Sequence, residues 1–263
     1  MPLPVTSSPC QQQDHADDPC HHEHEEVAAF PATFPAIAPE TLIPTEEELR
    51  SINAFVPPEF DLLTENEVRV TPMMVATDNL VARSGAKWSV ESLQTLAKIL
   101  AGKPALFDHD TYDVARSGWG QIFEAKHVYY DPANVLRRSL DVAGNLEYNL
   151  KIVQEEGLHQ VLYRAFLPAR SRVLARMRYA QLAEISIGYF RYREIICPIC
   201  NIPVRHEDCP HYIPFRWGGY QPHPRRDEMP YYIRDGLFDI AESSLVAAPD
   251  VPGAGVIWRG TVA

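Results

Sequence analysis

The sequence predicts an α+β fold in which strands outnumber helices. Two observations carry this expectation: several stretches alternate apolar and polar residues with period two, and the helical patterns fall between them rather than in a block of their own. The chain of 263 residues is 46% apolar and 22% charged, close to the globular average, which suits one sizeable domain with attachments. No internal repeat is present.

Residues 1–60 hold ten of the 23 prolines and four of the ten histidines without a sustained apolar period, so a disordered acidic tail is expected there. Order is expected from Glu67, in a domain spanning residues 67–258, beginning with an alternating strand over residues 67–76. From Ser89 to Ala101 the period changes. Ser89 can cap a helix whose apolar face is Leu93, Leu96, Ala97 and Leu100, and Gly102 stops it. A short buried strand follows over 104–110, ending in Asp108, His109 and Asp110, and a longer one over 118–129. Residues 145–152 alternate and read as another strand. Beyond Gly157 an interrupted helical region through Ala180 is expected, on the spacing of Val161, Leu162, Phe166, Val173, Leu174 and Met177. Residues 183–192 and 237–246 read as the last two strands.

The formal net charge is −11, but residues 1–50 hold ten acids and one base, so the body is nearly neutral. Without clustered Lys and Arg there is no electrostatic reason to expect nucleic-acid binding. No apolar run approaches a membrane span and the N-terminus lacks a secretory pattern, so the chain reads as cytosolic with no membrane partner. In a reducing compartment, three cysteines within 13 positions favour metal over disulfides.

Those cysteines form Cys197-Pro-Ile-Cys200, then Cys209-Pro-His211 after eight residues. Two close ligand pairs joined by a short loop are what a tetrahedral zinc site needs. Cys197, Cys200, Cys209 and His211 would fill all four positions, making the Zn2+ structural; His206 is the competing fourth ligand. A second constellation lies at strand ends: His109, Ser186 within Glu-Ile-Ser-Ile-Gly-Tyr, and Glu242 within Glu-Ser-Ser-Leu-Val. A serine needs a base to take its proton, and the base needs a polar group to orient it.

The order of these segments resembles that of the prohead maturation proteases of tailed bacteriophages, whose assemblin-like serine protease fold is shared with herpesvirus relatives. The matching pieces are the helix leading into Gly102-Lys-Pro-Ala-Leu-Phe-Asp-His109, then Gly118-Trp-Gly-Gln-Ile, the Ser186-Ile-Gly strand, and Glu242-Ser-Ser-Leu-Val with its trailing residues 249–254. Together they span residues 68–258. The resemblance implies a small, mostly antiparallel closed β-barrel surrounded by helices. It also implies a serine endopeptidase with Ser186 as nucleophile, His109 as base and Glu242 as third member, His127 being the alternative for that place. Gly188 is a candidate oxyanion amide. The substrates and partners implied are phage scaffold and major capsid proteins, with self-association, within the assembling prohead in the host cytoplasm. Residues 191–234 depart from the simplest members as an insertion that carries the zinc loop, which leaves a non-catalytic, zinc-stabilised assembly protein as the rival reading.

Overall fold

The computed structural model describes residues 42–113, 118–141, 144–173, 184–188, 190–204, 209, 211, 231–246, 250 and 255–256. Within these the chain runs α1 (Glu46–Asn53), β1 (Val68–Val70), β2 (Met74–Asp78), β3 (Ala86–Trp88), α2 (Val90–Ile99), β4 (Pro104–Phe107) and β5 (Gly120–Tyr130). Two 3-10 turns lead to α3 (Leu146–Glu156), followed by β6 (Leu158–Pro168), β7 (Ile185–Gly188), β8 (Arg191–Ile196), β9 (Tyr232–Asp239), β10 (Glu242–Leu245) and β11 (Gly255–Val256). No helix among the described residues is long and apolar enough to cross a membrane.

The larger sheet has the order β11-β2-β6-β5-β4-β10-β7, with β1 also paired to β6. Its most widely paired strand is β6, against β1, β2 and β5, where Val161, Tyr163, Ala165 and Leu167 lie two apart and are all fully buried. The helical reading of residues 157–168 is therefore corrected to a strand. Both periods could be read in this apolar-rich run; pairing with β5, β2 and β1 decided between them. The opposite correction applies at residues 145–152, expected as a strand and found in α3. Asn149, Ile152 and Val153 form its buried face at helical spacing, and Gly157 ends it with φ +83°. Asn149 is fully buried because its amide is used twice, accepting from Val81 N at 2.8 Å and donating to Leu140 O at 3.0 Å.

Helix α2 starts where its sequence says, with Ser89 Oγ accepting from Ser92 N at 3.2 Å. Its fully buried Leu93 and Leu96 join β6 residues in the main core, together with Trp119, Ile122 and Ile185. A second sheet, β3-β9-β8, carries residues 191–196 and 232–239 as an antiparallel ladder. The expected insertion thus begins in one strand of this sheet and returns in another.

The closed barrel is not found among the described residues. The sheet is mixed, since β10 pairs parallel with β4, and no ladder joins its edge strands β7 and β11. Those edges are four and two residues long, and the chain after β7 enters the second sheet instead of closing the first.

Of the stretch expected as a tail, residues 42–60 are described, and they carry α1. Thr45 and Glu48 form a reciprocal capping box at the start of α1. Ile52 is fully buried against Val70 and Phe123, and Glu48 pairs with Arg164 of β6. Residues 1–41, like His206 and residues 174–183, lie outside the described residues.

Candidate active site and metal centre

Strand register brings the chemistry-bearing residues together. In the β10–β7 ladder Glu242 stands opposite Gly188 and Ser244 opposite Ser186. Directly opposed residues share a face, as do residues two apart on one strand, so Ser186, Gly188, Glu242 and Ser244 all belong to the same side. The other side, with Ile185, Ile187 and Leu245, faces the core, where Ser243 Oγ donates to Tyr163 Oη at 2.9 Å.

His109 reaches this face from the end of β4. The strand stops at Phe107, and Asp108 and His109 take φ values of +50° and +58°, a left-handed conformation that non-glycine residues seldom adopt. Two contacts hold the reversed backbone: Asp108 N donates to Leu245 O at 3.0 Å, and His109 N donates to Ser244 Oγ at 3.1 Å. Trp119 clamps the strand below it, its indole N–H donating to Leu106 O at 2.7 Å.

From there His109 Nδ1 meets Glu242 Oε1 at 2.6 Å. Glu242 is fully buried, and its second oxygen accepts from Ser244 Oγ at 2.5 Å. A buried carboxylate at Nδ1 assigns the proton to that nitrogen and leaves Nε2 as the acceptor. The imidazole is 31% exposed, so a ligand can reach it. Ser186 is half-buried, and its Oγ points to Ile187 O at 3.5 Å; no hydrogen bond joins it to His109. Catalytic hydrogen bonds are often long or unmade before substrate arrives.

Gly188 has a steric part here. A Cβ on it would lie 1.8 Å from Glu242 Oε1 and 2.4 Å from His109 Nδ1, so the pair occupies the space a side chain would need. Ser244 is the residue that sequence reasoning missed. Its signal was the period-two relation to Glu242, which puts it on the same face. His127 sits elsewhere, on β5, with its Nε2 3.0 Å from His159 Nδ1 and the two rings stacked at 5.1 Å. Desolvation and the neighbouring His159 both hold its pKa below the ordinary histidine value.

The four metal-site residues also converge. The ligand atoms of Cys197, Cys200, Cys209 and His211 all lie within 4.8 Å of one another. Zn–S and Zn–N bonds of about 2.3 and 2.1 Å in a tetrahedron require edges of about 3.8 Å between sulfurs and about 3.6 Å from sulfur to nitrogen. Cys200 Sγ to Cys209 Sγ is 3.7 Å and Cys197 Sγ to His211 Nδ1 is 3.6 Å. The first ligand pair is a tight knuckle on the end of β8: Asn201 N donates to Cys197 O at 2.9 Å, with Asn201 itself left-handed at φ +57°. A hydrogen bond with His211 draws the Cys200 thiol down to about 7, whereas burial pushes Cys209 up to about 11. The cluster can hold a metal ion and shares a small core with Val204, Tyr232 and Ala86.

No known protein family, curated protein or solved structure matches the chain, so the site's own geometry carries the functional reading.

Proposed function

We propose that the chain is a serine endopeptidase that trims scaffold and capsid proteins during phage head assembly, with Ser186 as nucleophile, His109 as base and Glu242 as the orienting acid. The observation that carries the catalytic part is the 2.6 Å contact between His109 Nδ1 and the fully buried Glu242, on the sheet face that also bears Ser186. The substrate class, the self-association and the setting inside the assembling prohead rest on the resemblance of the segments.

In this reading His109 Nε2 takes the Ser186 proton as Oγ attacks the scissile carbonyl. The imidazolium then gives that proton to the leaving amine, and water repeats the sequence to free the acyl group. Glu242 keeps the imidazole in the required tautomer and balances its charge. The metal would be a structural Zn2+, because four protein ligands leave no open position for substrate.

A second reading is a non-catalytic assembly protein stabilised by the same metal, and the observation favouring it is that Ser186 Oγ turns to Ile187 O instead of His109. Labelling with a fluorophosphonate separates the two. Labelling of wild type and not of Ser186→Ala, together with loss of scaffold and capsid cleavage in co-expression, is the expected result. Cleavage by folded Ser186→Ala would defeat the protease reading.

A further inference from the structure

The ladder that holds the catalytic residues does not end at the edge of the larger sheet. Gly188 stands opposite Glu242 in the β7–β10 pair, and three residues further along each strand Arg191 stands opposite Asp239 in the β8–β9 pair. The register is unchanged across the crossing. β7–β8 and β9–β10 therefore form one two-stranded ribbon that runs from Ser186 and Glu242 in the larger sheet into the smaller one. The metal knuckle sits at its far end. Val204 N donates to Ile195 O at 2.8 Å and Cys197 N to Ile202 O at 2.9 Å, folding residues 202–204 back onto the outer edge of β8. Cys197 and Cys209 are buried there with Val204, Ala86 of β3 and Tyr232 of β9, so the ligand set closes that end of the smaller sheet.

The outer strand of the ribbon, which carries Ser186, is the less supported one. Among the described residues β7 and β8 have ladders only with β10 and β9, apart from the bridge between Ile196 and Pro203 in the knuckle, whereas β10 and β9 are backed by β4 and β3. Elements with few partners are the first to open locally. Two packed side chains carry order from the metal end toward the site. Arg234 stands opposite Ile195, next to the knuckle, and its guanidinium carbon reaches the Phe190 ring at 4.9 Å. Phe190 lies against Trp88 at 4.9 Å and follows Gly188 by two positions. Gly188 has no slack, because Glu242 and His109 occupy the space a side chain would need. A shift of β7 at this point acts directly on that pair.

We propose that the metal centre regulates the Ser186–His109–Glu242 site. A bound ion holds β8 on β9, and its loss lets β8 and then β7 leave their partners, which disarms the site while the larger sheet stays folded. The four ligand atoms gather within 4.8 Å when residues 202–204 lie against β8, so an ion binds this closed state and draws the population toward it. That the regulated site is catalytic rests on the protease reading; the coupling through the ribbon does not.

Amide hydrogen exchange of the full-length protein, loaded with Zn2+ and then stripped by a chelator, tests this together with fluorophosphonate labelling of Ser186. Stripping should speed exchange about tenfold or more in β8 and β9 and also in β7 and β10, a common size for coupling between sites. Val161, Tyr163 and Ala165 of β6 should stay protected. Labelling should slow by a similar factor, and added Zn2+ should restore both. Phe190→Ala keeps all four ligands, so it should still bind about one Zn2+ per chain, while its β7 amides exchange fast with or without the ion. Three results overturn the proposal: β7 amides indifferent to Zn2+ in wild type, β6 opening together with β7, or Zn2+-dependent protection of β7 that survives in Phe190→Ala. Zn2+-loaded protein whose β7 is protected but which neither labels nor cleaves defeats the protease reading and leaves the coupling standing.

Discussion

At Gly188 the absence of a side chain makes room for the His109–Glu242 pair. The atoms a Cβ would strike are the ends of those two side chains rather than backbone, so the chain can accept a substitution by displacing them. Gly188→Ala is therefore expected to fold with a loss of about 1–3 kcal/mol, the usual cost of overpacking, while its cleavage activity falls far more than its stability. Comparing the urea midpoint with kcat/KM checks this; equal retention of both would show that the pair tolerates the shift. Ser244 makes a related forecast. Its hydroxyl joins the Glu242 carboxylate to the His109 amide, so Ser244→Ala should lower kcat/KM roughly ten- to a hundredfold, the worth of a hydrogen bond to a charged group. Glu242→Gln should cost more, on the order of ten-thousandfold, because it no longer fixes the imidazole tautomer. His109, Gly188 and Glu242, though not Ser244, were legible in the sequence as single residues near strand ends. Their meeting was not, because it depends on a left-handed turn at Asp108 and His109 that neither residue type announces.

Among the elements, α1 and the metal knuckle stabilise the fold by different means. Residues 1–41 are expected to be removable with cooperative unfolding intact, whereas Ile52→Ala should cost about 2–5 kcal/mol, because Ile52 is fully buried against Val70 and Phe123. Thermal unfolding of the truncated chain and the point variant measures both. The helix was overlooked because proline density and acidity dominate the composition of the first 60 residues, while the Thr45–Glu48 capping box occupies only four. The cysteine knuckle was legible because metal ligation demands close spacing in sequence as well as in space. Protein purified without added metal should contain about one zinc per chain, and Cys197→Ser should lower both the metal content and Tm, since metal binding contributes directly to folding. Folded wild-type protein free of zinc would remove the assignment.

At the scale of the whole molecule, the fully buried Asp78 gives stability a pH dependence. Burial raises its carboxyl from 3.8 to about 7, against one hydrogen bond from Leu80 N that favours ionisation. The unfolded chain releases this proton near pH 4 and the folded protein only near 7, so between those values the folded state binds more protons. Its stability contribution is intact at acid pH and is lost as pH rises through that window, by a few kcal/mol at most. Asp78→Asn should flatten this part of the profile and raise stability at pH 8 relative to wild type. Denaturant midpoints from pH 4 to 8 measure it, and parallel profiles for the two proteins would discard the assignment.

What the sequence determined by itself are features written in neighbouring residues: the α+β character, the capped helix α2, the short strand that leads to His109 and those carrying Ser186 and Glu242, and a ligand set spaced for a tetrahedral ion. Only tertiary structure decided the exchange of helix and strand across Gly157, because both segments satisfy either period and the difference lies in which neighbours they find. Pairing with β5 and β2 selects the strand at Val161, Tyr163 and Ala165, and burial of Asn149 between Val81 and Leu140 selects the helix before it. The open, mixed sheet was decided the same way. Closure depends on whether a ladder joins the two edge strands, and β7 and β11 are too short and too far apart in sequence for any local pattern to show that none joins them among the described residues.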